Sequence, residues 1–112
     1  MRIDLAAAFA ALLSLSLTSF TTHAQTVRVA HDQRFPPFAE VKDDKSEGLA
    51  VDILNAAAQR AGLTIVYVPV PFAEMQKTLE DGRADAVFPL AINPERRQTF
   101  DFSAPLVITG GA

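Results

Sequence analysis

The order of secondary-structure patterns between residues 26 and 88 constrains the fold more than any other feature of the sequence. Residues 26–31, 63–70 and 84–88 are short apolar runs, the second one rich in β-branched side chains, and each predicts a strand. Residues 51–61 and 72–81 carry apolar side chains three and four positions apart, each is followed by Gly, and each predicts a helix. This β-α-β-α-β order with short connections predicts an α/β fold, in which helices flank a parallel sheet.

The predicted sheet also indicates where a ligand would bind. In open sheets of this kind, ligands sit beyond the carboxyl ends of the strands, at the point where the winding reverses. If the strand order is 2-1-3, the loops after the first and third strands are neighbours at that point. We therefore expect Asp32 and Phe35 to lie near Asn93 and Arg96.

Three other segments have their own predictions. Residues 32–38 contain Pro36 and Pro37, which remove ladder donors, so we expect a rigid loop that carries one carboxylate and two aromatic rings. Residues 42–48 are charged and rich in turn formers, which predicts an exposed hairpin or loop. Residues 102–108 predict a bend that leads into another strand.

The segment after the third predicted strand has the features of an anion site. Asn93 is a favoured N-cap and Pro94 a favoured first helical residue, which places Arg96 in the first turn of a predicted helix. Helix starts attract anions, and a guanidinium can grip a carboxylate or a phosphate with two hydrogen bonds. The alternative is that Arg96 and Arg97 are surface residues in ion pairs with Glu95 or Asp101.

The N-terminus and the composition indicate an exported domain. Residues 1–24 have a weakly basic start, an apolar run over residues 5–17 and small residues before Gln25, which predicts a signal peptide cleaved after Ala24. The remaining residues 25–112 make one small domain, with a net charge of -3 for the whole sequence and no basic run, which argues against nucleic acid as a partner. There is no cysteine, and His31 is the only histidine after Ala24, so we expect no metal site and no cofactor.

A series of motifs resembles the family-3 extracellular solute-binding proteins, the periplasmic receptors that deliver polar amino acids and similar solutes to ABC importers. The motifs cover essentially all of residues 25–112, in order; they are D-x-x-F-P-P-F (32–38), G-L-A-V-D-I (48–53), V-P-V-P-F (68–72), D-G-R-A-D-A-V (81–87), I-N-P-E-R (92–96) and D-F-S-A-P (101–105). The resemblance implies a type II periplasmic-binding-protein-like fold, with a solute held between two lobes, and ABC importer membrane subunits as partners.

The resemblance also implies roles for individual residues. Arg96 would hold the α-carboxylate of the solute, Phe35 would stack on its side chain, Phe72 would form part of the pocket wall, and Asp32 would lie near a distal or cationic group. The alternatives are ordinary packing for the two phenylalanines and a turn-forming side chain for Asp32.

Residues 88–91 depart from the family pattern, which often has hydroxyl side chains here that help bind the carboxylate. Phe88, Pro89, Leu90 and Ala91 have none, and Pro89 also lacks an N–H group, so only the backbone N–H groups of Leu90 and Ala91 could serve. We expect either a less polar solute than a typical amino acid or a carboxylate held by fewer contacts.

The length of the chain also departs from the family pattern. Residues 25–112 correspond to the N-terminal part of the first lobe only, with the second lobe absent, so we expect an incomplete sheet, marginal stability and weak or no solute binding by this chain alone.

Non-covalent binding of a solute, without catalysis, is the leading interpretation, and there are three alternatives. The first is a dehydratase of the periplasmic cyclohexadienyl type, for which Asp32, Glu40 and Glu74 are candidate acids or bases, although no paired carboxylates are evident. The second is the sensor domain of a membrane receptor, and the third is a truncated product with no function of its own.

Overall fold

The computed structural model describes residue 19 and residues 23–108. The predicted signal peptide therefore lies outside the described residues, apart from residues 19, 23 and 24. In chain order the elements are β1 (Gln25–Asp32), β2 (Arg34–Phe35), β3 (Ala39–Lys42), β4 (Lys45–Glu47), α1 (Leu49–Ala61), β5 (Leu63–Val70), α2 (Met75–Glu80) and β6 (Ala86–Val87). Two 3₁₀ turns, Phe72–Glu74 and Arg96–Gln98, complete the regular structure of the described residues.

The central sheet is parallel and has the order β5-β1-β6. Since these are the second, first and third predicted strands, the expected 2-1-3 order is confirmed. Gln25 pairs with Leu63 at one end of β1, and Asp32 pairs with Val70 at the other. The loops that follow β1 and β6 therefore leave from the same edge of the sheet.

The third strand is shorter than the sequence predicts, because β6 contains only Ala86 and Val87 rather than residues 84–88. Its pairing with β1 continues by one hydrogen bond on each side: Asp85 N–H donates to the Arg28 carbonyl at 2.8 Å, and Phe88 N–H donates to the Ala30 carbonyl at 2.9 Å. The strand cannot extend further because the next residue is Pro89, which has no N–H group.

A second, antiparallel sheet has the order β2-β3-β4 and corrects the prediction of a simple rigid loop over residues 32–38. Both prolines lie in the turn between β2 and β3, so the ladder needs no N–H group from them. The predicted hairpin at residues 42–48 is confirmed as the β3–β4 hairpin. Its two-residue turn, Asp43-Asp44, has φ angles of 51° and 59°, the left-handed region that tight hairpin turns require.

The two predicted helices are present with altered ends. The first, α1, begins at Leu49 rather than at residue 51 and ends at Gly62, which takes the left-handed conformation with φ of 69°. The segment at residues 72–81 is not one helix: a 3₁₀ turn, Phe72–Glu74, precedes the short α2. This break leaves Phe72 54% exposed, outside the apolar stripe that the sequence predicts for it.

Neighbouring residues of β1 belong to two separate hydrophobic clusters. Val29 packs with Val51 of α1 and with Phe88, whereas Ala30 packs with Val70 and with Met75 of α2. Because successive side chains of a strand point to opposite faces, the two helices cover the two faces of the central sheet. Each large apolar side chain buried in this way contributes about 1.5–3 kcal/mol of transfer free energy.

Residues 99–108 contain no helix or strand, so the strand predicted after residue 102 is wrong for the described part of the chain. Leu106, Val107 and Ile108 are all exposed. No helix within residues 23–108 has both the length and the apolar character needed to cross a membrane.

Candidate functional site

Asn93 organises the turn that carries Arg96. Its side-chain Oδ1 accepts a hydrogen bond from the Arg96 backbone N–H at 2.7 Å, as expected of a cap. The segment that follows is only the 3₁₀ turn Arg96–Gln98, so the prediction of a helix with Arg96 in its first turn is wrong. A turn of three residues aligns few peptide dipoles, and the case for an anion site therefore rests on the guanidinium itself.

The Arg96 guanidinium is held in place by two contacts. Nη1 donates a hydrogen bond to the Ala91 carbonyl oxygen at 2.9 Å. The central carbon lies 5.9 Å from the centroid of the Phe72 ring, within the range of a cation–π contact. These two neighbours fix the orientation of the fork before any ligand is present.

The ion pairs considered as an alternative for Arg96 are absent from the described residues. Within residues 23–108 no carboxylate lies within 4.0 Å of Arg96 or of the neighbouring Arg97. Arg96 is half-buried, whereas Arg97 is exposed. Since Arg96 uses one of its five side-chain N–H groups on the Ala91 carbonyl, four remain for an anion.

Two backbone donors lie in the same loop. The N–H groups of Leu90 and Ala91 donate to no acceptor within the part of the chain that the structure describes. The hydrogen bond from Arg96 to the Ala91 carbonyl keeps this loop beside the guanidinium. The segment after β6 therefore carries two unused amide donors and a guanidinium.

The candidate residues line two hollows that share Leu90. The first, of about 330 Å³, contains Phe72, Leu90 and Arg96; its other lining residues are Ala73, Met75, Gln76, Val87, Asn93, Glu95, Thr99 and Phe100. The second is a groove of about 850 Å³ that contains Phe35, Leu90 and Ala91, with Phe38, Phe88 and residues 99–108 among its walls. The structure thus brings the loops after β1 and β6 together at the groove but, contrary to our expectation, it does not place Asp32 or Phe35 in the same hollow as Asn93 and Arg96.

The two aromatic candidates differ in their surroundings. Phe35 is 44% exposed, and its ring lies 5.2 Å from that of Phe38 with an angle of 35° between the planes. Phe72 lies beside Arg96 and lines the first hollow, whereas Phe35 lines the groove. Neither ring is buried in a hydrophobic cluster, so both present apolar surface at the hollows.

Asp32 lies apart from the other candidates and lines neither hollow. Its Oδ1 accepts a hydrogen bond from the Arg34 backbone N–H at 2.9 Å, which is the turn-forming geometry considered as its alternative role. Glu40 and Glu74, the other candidate acids of a dehydratase, also lie outside both hollows.

Sequence reasoning missed two polar contacts that support these loops. Asp85 pairs with Arg28 across the β1–β6 boundary at 3.0 Å, and the hydrogen bonds from the Arg28 side chain and backbone hold the pKa of Asp85 below its usual value. His31 is fully buried and hydrogen-bonds to Ser46 of β4. No periodic pattern predicts either pair; the only signal is a polar residue placed within or beside an apolar strand.

Comparisons with known proteins agree with this architecture. The family model of the bacterial extracellular solute-binding proteins, family 3, matches residues 27–112. A Vibrio harveyi protein that carries the name of an amino-acid ABC transporter-binding protein, PatH, is 31% identical over 102 residues, which are 89% of this chain and 41% of PatH. The L-cystine-binding protein TcyJ of Escherichia coli is 31% identical over 87 residues, 76% of this chain and 33% of TcyJ. The chain therefore spans less than half the length of these relatives.

Solved structures show the same relationship. A Salmonella typhimurium periplasmic binding protein of high arginine specificity has a TM-score of 0.68 and 25% identity, covering 73% of this chain and 38% of that chain. A histidine kinase sensor domain similar to periplasmic binding proteins has a TM-score of 0.64 and 25% identity, covering 67% and 33%. An ancestral amino acid-binding protein described as a precursor of cyclohexadienyl dehydratase has a TM-score of 0.64 and 30% identity, covering 71% and 36%. With the family model matched over residues 27–112 and the fold shared with periplasmic binding proteins, the chain belongs to the bacterial extracellular solute-binding proteins of family 3.

Proposed function

We propose that this chain binds the carboxylate group of a small solute, an amino acid or a related acid, as part of a periplasmic receptor that delivers the solute to an ABC importer. The proposal rests on the contacts that Arg96 makes and on its unneutralised charge. Its guanidinium is oriented by the Ala91 carbonyl and the Phe72 ring, and within residues 23–108 no carboxylate neutralises it.

The proposed roles follow from these contacts. Arg96 binds the carboxylate through its remaining N–H groups, and the N–H groups of Leu90 and Ala91 complete the anion site. The two amides take the place of side-chain hydroxyls, which residues 88–91 lack. A carboxylate held this way receives donors from one short loop only.

Phe72 and Phe35 supply apolar contacts in the first hollow and in the groove, respectively. A solute whose carboxylate sits on Arg96 can extend its side chain along the groove towards Phe35. Asp32 lines neither hollow and its Oδ1 is used by the Arg34 amide, so the proposal gives it no contact with the solute.

The proposed mechanism is non-covalent. Relatives are binding proteins for amino acids, and the chain spans 41% of PatH and 33% of TcyJ. We propose that a second lobe closes over the solute and that the solute shifts the open–closed equilibrium by binding the closed state more tightly. Export by the signal peptide and cleavage after Ala24 belong to the same proposal.

Calorimetric titration tests the proposal on the protein expressed from its complete reading frame. The ligands are L-arginine, L-histidine and L-cystine, each paired with its decarboxylated amine: agmatine, histamine and cystamine. We expect saturable binding of at least one amino acid, with its amine at least about tenfold weaker because the charge-assisted hydrogen bonds to Arg96 are lost. Equal affinity for acid and amine, or no binding of any of the three acids, would contradict the proposal.

A sensor domain is the second candidate, favoured by the similarity to the histidine kinase sensor domain. Both candidates use the same carboxylate site, so the titration does not separate them. The reading frame beyond residue 112 does: a membrane span followed by a signalling domain supports the sensor, and a second lobe followed by a stop supports the transport receptor. Product formation from a cyclohexadienyl acid would instead support the dehydratase, whose precursor has the same fold.

A further inference from the structure

His31 is a fully buried polar side chain that the proposed binding of a solute does not use. It lies near the carboxyl end of β1, directly before Asp32, with 0% of its surface exposed. Nδ1 lies 2.9 Å from the Asp32 carbonyl oxygen, and Nε2 lies 2.6 Å from Ser46 Oγ. Both ring nitrogens are therefore engaged, one by the last residue of β1 and the other by β4.

The partners indicate which nitrogen carries the proton in a neutral ring. A backbone carbonyl only accepts hydrogen bonds, so Nδ1 carries the proton and donates it to the Asp32 carbonyl. In the neutral ring Nε2 is then an acceptor, and the Ser46 hydroxyl donates to it. The Tyr67 ring of β5 meets the imidazole edge-on at 5.7 Å, which fixes its plane.

Ser46 lies opposite Val41 in the β3–β4 ladder, and the Val41 N–H donates to the Gln33 carbonyl at 3.2 Å. In turn β3 pairs with β2, where Ala39 lies opposite Phe35. A chain of pairings therefore runs from Ser46 through β3 to the strand that carries Phe35. The small sheet has only two residue pairs between β2 and β3 and three between β3 and β4, and the hydrogen bond from Ser46 to His31 ties it to the central sheet.

We propose that His31 is a positioning residue for the solute site: in its Nδ1–H form it anchors β4 through Ser46 and so fixes the Phe35 side of the groove relative to β1. The assignment of a binding role to this groove rests on the proposed function. The anchoring itself does not, because it concerns contacts between described residues of this chain alone. It also explains why a histidine, rather than an apolar residue, occupies the buried end of β1.

The first test is made on the unaltered protein by long-range ¹H–¹⁵N NMR of the imidazole nitrogens near neutral pH. His31 is expected to show a protonated Nδ1 and an unprotonated Nε2. Free N-acetylhistidine in the same buffer serves as the reference, because His23 lies before the predicted cleavage after Ala24. An Nε2–H tautomer for His31 would overturn the proposal.

The second test compares Ser46→Ala with Ser46→Thr, which keeps a hydroxyl and suits a strand. Amide hydrogen exchange is followed at Val41 of β3 and at Leu49, the first residue of α1, and also at Asp85, whose N–H donates to the Arg28 carbonyl in the middle of β1. Ser46→Ala should accelerate amide exchange at Val41 and Leu49 about tenfold, because one buried hydrogen bond is lost locally. The exchange rate at Asp85 should stay within about twofold of that in the unaltered protein. Ser46→Thr should behave as the unaltered protein. Equal acceleration at all three amides, or a Ser46→Thr variant no better than Ser46→Ala, would overturn the proposal.

The third test concerns the site. For each of L-arginine, L-histidine and L-cystine that binds, Kd should rise at least about threefold in Ser46→Ala and recover in Ser46→Thr, as expected when an ordered loop must be fixed during binding. An unchanged Kd in Ser46→Ala would show that His31 does not position the solute site through Ser46. A protein that passes the first two tests but binds none of the three amino acids contradicts the proposed function and supports the anchoring.

Discussion

Asp85 accepts three hydrogen bonds from Arg28, from the backbone N–H at 2.8 Å, from Nε at 3.3 Å and from Nη2 at 3.0 Å. The two residues are 57 positions apart, and their pairing fixes the point at which β6 joins β1. The loop that carries Leu90, Ala91 and Arg96 follows directly from β6. This ion pair therefore lies at the base of the candidate anion site.

The Arg28–Asp85 pair predicts a specific acid sensitivity. The hydrogen bonds from the Arg28 side chain, and next those from its backbone, lower the pKa of Asp85 in the folded protein. A lowered folded-state pKa contributes stability that is fully present above the unfolded-state value of about 3.9 and is lost as the pH falls through the folded-state pKa. In Asp85→Asn, the urea midpoint should therefore be lower than in the unaltered protein near neutral pH, and this difference should shrink as the pH falls below about 4.

The matched control is Asp101→Asn, which removes an exposed carboxylate that has no ion-pair partner within residues 23–108. It should leave the pH dependence of the urea midpoint unchanged. The same acid dependence in Asp85→Asn as in the unaltered protein would show that the pair does not couple to folding.

Gly48 allows the hairpin to pass closely over the β2–β3 turn before α1 begins. Its φ is +134°, and a Cβ atom built there would lie 2.3 Å from the Phe38 carbonyl oxygen. Gly48→Ala should therefore lower the free energy of unfolding by about 2–3 kcal/mol, from backbone strain and from the forced movement of Phe38. Urea unfolding monitored by circular dichroism measures the loss.

Gly62 provides the control for this prediction. It also has a positive φ, +69°, but a Cβ atom there meets nothing within 4 Å. Gly62→Ala should cost only about 1–2 kcal/mol, the penalty of the left-handed conformation alone. If Gly48→Ala were no more costly than Gly62→Ala, the close approach to Phe38 would not limit stability.

Tyr67 is the only tyrosine in the sequence, so its ionisation can be followed directly by ultraviolet absorbance. Its hydroxyl lies 2.6 Å from Asn55 Oδ1 and 3.3 Å from the Val51 carbonyl oxygen, both on α1. Burial, and secondarily the charge of Asp52, raise the pKa of Tyr67 above its ordinary value. The absorbance titration should therefore have its midpoint above that of the urea-unfolded chain, and Asp52→Asn should move it part of the way back.

The same shift links alkaline pH to stability. Because the folded-state pKa of Tyr67 is the higher one, its contribution is intact below the unfolded-state value of about 10 and is lost as the pH rises through the folded-state pKa. Tyr67→Phe should lack this alkaline loss. If Tyr67→Phe lost as much stability at alkaline pH as the unaltered protein does, ionisation of Tyr67 would not be the cause of that loss.

The architecture could be predicted because it depends on local patterns that recur along the chain. The strand patterns at β1 and β5, with a helix pattern between them, predict a parallel pair, and the third run predicts a third strand; the 2-1-3 order is a condition of the prediction, which the structure confirms. The predictions failed where one or two residues decide the local secondary structure. Pro89 prevents β6 from extending, and the helix expected after Asn93 is a single 3₁₀ turn.

The site was predictable in its residues but not in its arrangement. The cap at Asn93 and the resemblance at residues 92–96 single out Arg96, yet they do not predict that the Ala91 carbonyl and Phe72 orient it. Likewise, the pairs Arg28–Asp85 and His31–Ser46 join residues far apart in the chain. Such pairs depend on the register between strands, which hydrophobic periodicity does not determine.

Arg96, and not the adjacent Arg97, is proposed to bind the carboxylate of the solute. Arg96→Ala and Arg97→Ala remove the same side chain from adjacent positions, one half-buried against Phe72 and the other exposed. The most direct measurement is the Kd of both variants, by calorimetry, for whichever of L-arginine, L-histidine and L-cystine the unaltered protein binds. The affinity should be at least about thirtyfold lower in Arg96→Ala and within about twofold of the original in Arg97→Ala. Equal affinities in the two variants, at matched thermal stability, would contradict it.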